Sequence, residues 1–354
     1  MAQSLDVDRA TVLAYRIGAH QLDRSADELA VLDLGVADTP AGSARQASAV
    51  RGAALDDDLI TVWGARGAPF VHRPAEVPAL AAALRPRDEA DAKARLGASS
   101  ARVPGLDVDA VLAAAAAMHE IVTKPVGKGD LSTALSARLP DLTYSCPGCK
   151  VDHLSDQLFR IAGLLGGVRI EPGTTPLVIA PIAGWTIPAR TRLTEPARAY
   201  LRLHGPATQA EVAAYFAASR ATVADDWPDD LVEVRVDGRA GYWIPASQEA
   251  ALREPAAPDL VRLLPPGDPY LQTRNRDLLV PERAEQKALW RPLGNPGAVL
   301  AEGEIVGFWR PKTSGKKLTI TVEGFRPIRE DLEDEARIIA AARGATDVRL
   351  VLVD

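Results

Sequence analysis

Residues 194–245 constrain the fold of this 354-residue chain more than any other stretch. Thr194 to His204 places apolar residues at helical spacing, and Gly205-Pro206 stops the pattern. Thr208 is positioned to cap a second helix carrying Val212, Ala213 and Phe216, and Ser219 to cap a third running towards Trp227. The next segment, LVEVRVDGRAGYWIP, alternates apolar and polar residues on both sides of Asp237-Gly238, a strong local hairpin signature. Three helices and a hairpin within about 50 residues spell a winged helix-turn-helix, whose third helix usually enters a DNA major groove.

The same order recurs twice upstream. Val108 to Thr123, Asp130 to Arg138 and Asp152 to Leu165 read as helices, followed by VRIEPGTTPLVIAP, a hairpin around Pro172-Gly173. Asp8 to His20, Ser25 to Leu34 and Ser43 to Arg51 are helix candidates, followed by the hairpin LITVWGARGAPFVH. From about Ala256 strand-like segments take over, LVRLLPPGDPYL, AVLAEGEIVGFWRPK and KLTITVEGF, before a helix at Ile328 to Arg343 and a last strand DVRLVLVD. Frequent short strands predict a small barrel or curled sheet. The expected fold class is α+β: three tandem winged helix-turn-helix modules at 1–104, 105–190 and 191–255, then a small β-barrel-like C-terminal domain at 256–354.

Charged residues at 25% and hydrophobic residues at 47% fit a globular protein, and no apolar run approaches the roughly 20 residues of a bilayer span. The start MAQSLDVDRA has no basic segment followed by an apolar one, so a cytoplasmic protein is expected. Two cysteines give no disulfide framework. A net charge of −6 argues against coating nucleic acid non-specifically. Acid gathers at Asp225-Asp226, at Asp229-Asp230 and over Glu330 to Glu335, which leaves room for a local positive face. The chain has no Gly-rich phosphate loop, no H-E-x-x-H and no G-x-S-x-G, so nucleotide hydrolases, zincins and α/β-hydrolases lose support.

Four cations, Arg310, Lys312, Lys316 and Lys317, crowd the hairpin tip RPKTSGKK. They read as phosphate contacts or as a groove-inserting tip, against the plainer reading of a solvated turn. Lys124 and Lys128 flank the second helix-turn-helix as weaker DNA-binding candidates. Trp63, on the first hairpin, either packs against a sugar or base or anchors the core, which is the commoner use of tryptophan. Cys146-Pro147-Gly148-Cys149 with His153 has C-x2-C-x3-H spacing. A closed zinc site needs four ligands, and His119 is a possible fourth that no spacing demands. Two reduced thiols in a tight turn are the preferred reading, a redox dithiol lacks its βαβ setting, and neither metal nor cofactor is expected.

The segments LGVADTPAGSAR, CPGCKVDHLSDQLFRIAGLLGG, LLPPGDPYLQTRNR and VLAEGEIVGFWR are spread in that order across nearly the whole chain. In order and texture the chain resembles the AlkZ/YcaQ-like DNA glycosylases, a winged-helix DNA-binding domain family. The resemblance implies excision of alkylated purines, bulky or crosslinking N7 adducts included, by hydrolysis of the N-glycosidic bond. The implied partner is double-stranded DNA, alkylated or crosslinked, and a monomer is expected. It also implies a site in the turn between two helices of the first module. There the family carries two glutamines separated by one residue, an aspartate replacing the second in some members. The corresponding residues are Ala37-Asp38-Thr39, where no glutamine stands.

An N7-alkylated purine is cationic and leaves readily, so such a site must place water against C1′ and stabilise an oxocarbenium-like sugar. A carboxylate meets both needs. Asp38, the only ionisable residue in the turn, is the first catalytic candidate; Asp33, one turn earlier, is the second; Thr39 is placed to hydrogen-bond the water. The competing reading is a turn in which Asp38 accepts backbone N–H bonds and Ser43 caps the next helix. Three functions stay open: a monofunctional glycosylase with no lysine nucleophile, a catalytically inactive DNA-binding or regulatory protein, and winged helices turned to protein interaction.

Overall fold

The structure, a computed structural model, describes residues 5–25, 28–103, 105–328 and 331–353. The chain divides into two compact units, each drawn from separated segments. The first gathers Met1–Asp57, Arg198–Glu211 and Pro228–Asp354, and the second Asp58–Ala197 and Val212–Trp227.

The first unit opens with β1 (Leu5–Val7), α1 (Arg9–Ala19), β2 (Val36–Ala37) and α2 (Ser43–Val50). Asp8 starts α1 by accepting the Thr11 N–H. The helix expected over Ser25 to Leu34 does not form in the described part. Residues 26 and 27 lie outside the described residues, and between them and β2 the chain holds only a 3-10 turn at Ala30–Asp33. The Gln21 side chain accounts for this: its amide donates to Glu28 O at 2.8 Å and its oxygen accepts from Ala30 N at 2.8 Å. Backbone groups held by a side chain are withdrawn from a helix ladder.

The second unit begins with β3 (Ile60–Trp63), β4 (Pro69–His72), α3 (Val77–Leu84) and α4 (Glu89–Leu96). Next come α5 (Val108–Ile121), β5 (Val126–Gly127), α6 (Lys128–Arg138), β6 (Thr143–Cys146), β7 (Val151–Leu154), α7 (Asp156–Leu165), β8 (Val168–Ile170) and β9 (Val178–Pro181). Within this unit the strands pair in the order β4-β3-β8-β9-β5, while β6 and β7 make a separate two-stranded ladder. Helices α5 and α7 pack together, with Ala114, Met118, Leu158 and Leu165 shut off from solvent. The helix expected to start at Asp152 starts later. Asp152–Leu154 are strand, and Ser155, accepting the Leu158 N–H, opens α7.

Then come α8 (Thr194–His204), α9 (Gln209–Phe216), α10 (Arg220–Asp225), β10 (Leu231–Val236) and β11 (Arg239–Pro245). Thr208 and Glu211 cap α9 reciprocally: Thr208 Oγ1 accepts the Glu211 N–H at 3.2 Å, and Glu211 Oε2 accepts the Thr208 N–H at 2.9 Å. Ser219 caps α10 through the Thr222 N–H. Asp237 and Gly238 turn the hairpin with φ of 49° and 76°. Strand β1 lies parallel to β10, with Leu5 opposite Val234.

The first unit closes with α11 (Glu249–Arg253), β12 (Val261–Leu264), α12 (Arg276–Leu279), α13 (Arg283–Leu289), β13 (Gly297–Ala301), β14 (Glu304–Ser314), β15 (Lys317–Gly324), α14 (Glu333–Ala342) and β16 (Asp347–Val353). The five strands of this last segment form an open sheet in the order β12-β13-β14-β15-β16, so the expected barrel is corrected: among the described residues no sheet closes into one. The reason is the last connection. β16 runs parallel to β15, which requires a crossover, and α14 supplies it, adding the strand at the edge opposite β12. Trp309 anchors the core beneath, fully buried, its Nε1 donating to Leu264 O at 2.8 Å. Only glycine fits at 297, since a Cβ there would sit 2.3 Å from the indole. No helix of the described residues is long and apolar enough to cross a membrane.

Candidate active site

The turn between β2 and α2 holds the first catalytic candidate. Asp38 is half-buried, and its Oδ1 accepts the Ala44 N–H at 3.0 Å, so it caps α2 from outside the helix. Ser43 Oγ donates to Ala37 O at 3.0 Å and ties the turn to the same helix start. Among the described residues nothing hydrogen-bonds the second carboxylate oxygen, Oδ2. Thr39, next along, is exposed, whereas Ala37 is buried.

A second loop of the same unit backs this turn. Gly267, at φ 78°, lies so close behind Thr39 that a Cβ on it would sit 2.8 Å from Thr39 O. The next residue, Asp268, is completely buried and accepts two 2.9 Å bonds from Arg51, itself completely buried just past the end of α2. Arg51 also donates to His20 O and Ala47 O. One loop therefore supports α2 at both ends, through Thr39 at its start and Arg51 at its finish. Behind Arg51, His20 packs edge-on to His204 and Tyr270 with ring centroids 4.9 and 5.3 Å away. Burial, then the neighbouring His204 and Arg51, pushes His20 well below the ordinary histidine value, so it stays neutral.

Two glutamines border this arrangement. Gln272 Nε2 donates to Gly267 O at 3.3 Å, and the buried Gln46 donates to Gly42 O at 3.0 Å while accepting from Arg343. Sequence reasoning missed Arg51, Asp268 and both glutamines as parts of one site. The available cue was Asp268 itself, an acid between a glycine turn and a proline in an otherwise apolar segment.

The other candidates lie in different settings. Asp33 is exposed and ion-paired with Arg202 of α8. Trp63 is a core residue: it is buried, meets Phe159 edge-on with centroids 5.5 Å apart, and covers Gly163, so its ring has no face left for a base. Lys124 is exposed, while Lys128 pairs with Asp156 at 3.2 Å and lies over the Phe159 ring. On the β14–β15 hairpin Lys312, Lys316 and Lys317 are exposed at the tip, and Arg310 lies over the Phe308 ring, 5.5 Å from its centre.

In the second unit Cys146, Cys149 and His153 bring their ligating atoms within 4.8 Å of one another. The Cys149 N–H and the Tyr144 hydroxyl beside its sulfur lower the Cys146 thiol to about 6, while Cys149, beside that sulfur, is raised. His119 is elsewhere, with Nδ1 3.2 Å from Gly166 O.

A capped turn with one open carboxylate oxygen, braced from behind by a buried ion pair, can hold and orient a water molecule. The chain belongs to the AlkZ-like DNA glycosylases: the family model described as "DNA glycosylase AlkZ-like" matches residues 36–347. The match starts at the strand that leads into Asp38. A solved structure, Streptomyces sahachiroi DNA glycosylase AlkZ, has the same fold, with a TM-score of 0.74 over 99% of this chain and 100% of that one at 20% identity. No curated protein matches.

Proposed function

We propose that this chain is a monofunctional DNA N-glycosylase that removes N7-alkylated purines from duplex DNA, with Asp38 orienting the attacking water. The observation that carries the reading is the asymmetry of the Asp38 carboxylate. Oδ1 is fixed by the Ala44 N–H, which sets the orientation of the group, and Oδ2 is left to accept from water. In the reaction the cationic purine departs with the electrons of the C1′–N9 bond. Positive charge grows on the sugar beside a carboxylate, and water adds to C1′ as its proton passes to Oδ2. Thr39 is the neighbouring hydroxyl for the same water. No lysine stands in the turn, so base release without strand cleavage is expected. Asp33, occupied by Arg202, has a structural part in this reading.

The DNA would be gripped by winged helices and by the lysine-tipped β14–β15 hairpin. In this reading α5, α6 and α7 with hairpin β8–β9 make one module and α8, α9 and α10 with β10–β11 another. Lys124, Lys128, Arg310, Lys312, Lys316 and Lys317 supply phosphate contacts. The test is release of free base from duplex DNA containing N7-methylguanine, comparing wild type with Asp38→Asn. Asparagine retains an oxygen for the Ala44 N–H, so the variant keeps its turn. The expected result is a fall in rate of about a hundredfold or more.

A second reading is favoured by one observation: Ala37 and Thr39 occupy the positions where the resemblance implies glutamines. It is a DNA-binding protein without catalysis. A folded wild type that binds duplex DNA and releases no base establishes that reading and overturns the first.

A further inference from the structure

We propose that Cys146, Cys149 and His153 form a zinc-class metal site with three protein ligands, at the tip of the β6–β7 hairpin and separate from the Asp38 turn. The hairpin places the ligands by its register. Tyr144 lies opposite His153 and Cys146 opposite Val151, so Cys146 and His153 are diagonal neighbours on one face of the ladder. Cys149 comes from the connecting turn, which the Lys150 N–H closes on Cys146 O at 2.8 Å with Lys150 in the left-handed region at φ 58°.

The histidine is oriented for metal. Its Nδ1 lies 2.6 Å from Leu154 O, a contact that requires a hydrogen on Nδ1, so that in the neutral ring the lone pair is on Nε2. That Nε2 is enclosed, and His153 interacts with the Cys146 sulfur. Tetrahedral zinc, with Zn–S near 2.3 Å and Zn–N near 2.0 Å, holds its ligand atoms about 3.5–3.8 Å apart. Ligand atoms all within 4.8 Å of one another need to close by only about 1 Å.

The group also answers a stability problem. A two-stranded ladder on its own is marginal in water, and β6–β7 pairs with no other strand in the described residues. Metal binding would clip the two strands together directly before α7, whose Leu158, Phe159 and Leu165 are core residues. Three protein ligands leave a fourth position for water or another small donor, since no further His, Cys, Asp or Glu joins the group among the described residues.

Cobalt substitution tests the site, using tag-free full-length protein stripped with a chelator and kept reduced. Because Cys146 and Cys149 are the only cysteines of the chain, any sulfur-to-cobalt charge-transfer band must come from this pair. The expected result is that band together with the intense visible bands of tetrahedral cobalt, saturating at one equivalent and abolished by added zinc. Alkylating the two thiols before titration removes it. Cys146→Ser and His153→Gln each weaken cobalt binding by more than about a hundredfold, beyond what an outer-shell change does, and His119→Ala leaves it unchanged. Weak octahedral bands with no charge transfer overturn the proposal. So does charge transfer that survives unaltered in His153→Gln, which would assign the ion to the thiols alone.

Discussion

Helix α2 is held at its two ends by carboxylates in opposite circumstances. At its finish Asp268 is completely buried and both oxygens are occupied by Arg51. At its start Asp38 is half-buried, with one oxygen occupied and the other open. A buried pair with matched geometry is expensive to break because the surviving charge is stranded in low dielectric. A half-buried cap costs less to break, about 1 kcal/mol. In the proposed reading the difference separates rigidity from reactivity along a helix eight residues long: the acid that holds the structure has no oxygen left for chemistry, and the acid proposed for chemistry bears little of the structure.

The comparison breaks most directly at Asp268. Asp268→Ala should lower unfolding stability by about 3–5 kcal/mol in urea titration, and a loss below about 1 kcal/mol would mean that α2 is anchored some other way. Next in size, Asp38→Asn should slow base release by about a hundredfold, equivalent to about 2.7 kcal/mol of barrier, with an unchanged urea midpoint. An equal loss of stability and rate would assign Asp38 to the structure. Gly267→Ala should cost about 2 kcal/mol, because both its positive φ and the approach to Thr39 O must yield. If the loop positions the turn, this variant also loses activity although Asp38 is intact. Asp38→Ala, which removes the cap, should cost about 1 kcal/mol by the same urea titration. Smallest of all, Lys312→Ala should reduce the slope of log affinity against log salt by about one, measured by fluorescence anisotropy on undamaged duplex, and leave stability untouched.

Much of the fold was legible where local chemistry decides it. The Asp237-Gly238 turn, the Ser219 cap and the Thr208 cap each act over two to four residues, and each appears where the sequence placed it. Legibility failed where distant or side-chain-mediated bonds compete. Gln21 captures backbone groups of the segment read as helix at Ser25 to Leu34, and the turn at Cys146-Cys149 pairs Asp152–Leu154 into a ladder instead of a helix start. Closure of the C-terminal strands is not legible, because strand frequency says nothing about the direction of the last connection. At the site, Asp38 was visible as the lone acid of its turn. Its brace was not, because Asp268 and Arg51 are 217 residues apart and no short pattern joins them.

The parallel pairing of β1 with β10 bears on how the polypeptide is made. The backbone N–H of Arg9 bonds to Asp237, 228 residues later, and Leu5 to Val7 find their partners only when Leu231 to Val236 exist. At about 5–20 residues per second on the ribosome, the first strand waits on the order of ten to fifty seconds for its neighbour. During that interval Val12, Leu13 and Ile17 of α1, which end in one buried cluster with Val234, Ile244 and Leu252, lack those later partners. Strand β1 and helix α1 are thus completed long after they are made, and a nascent chain stalled before Leu231 would leave part of that apolar face exposed to chaperones.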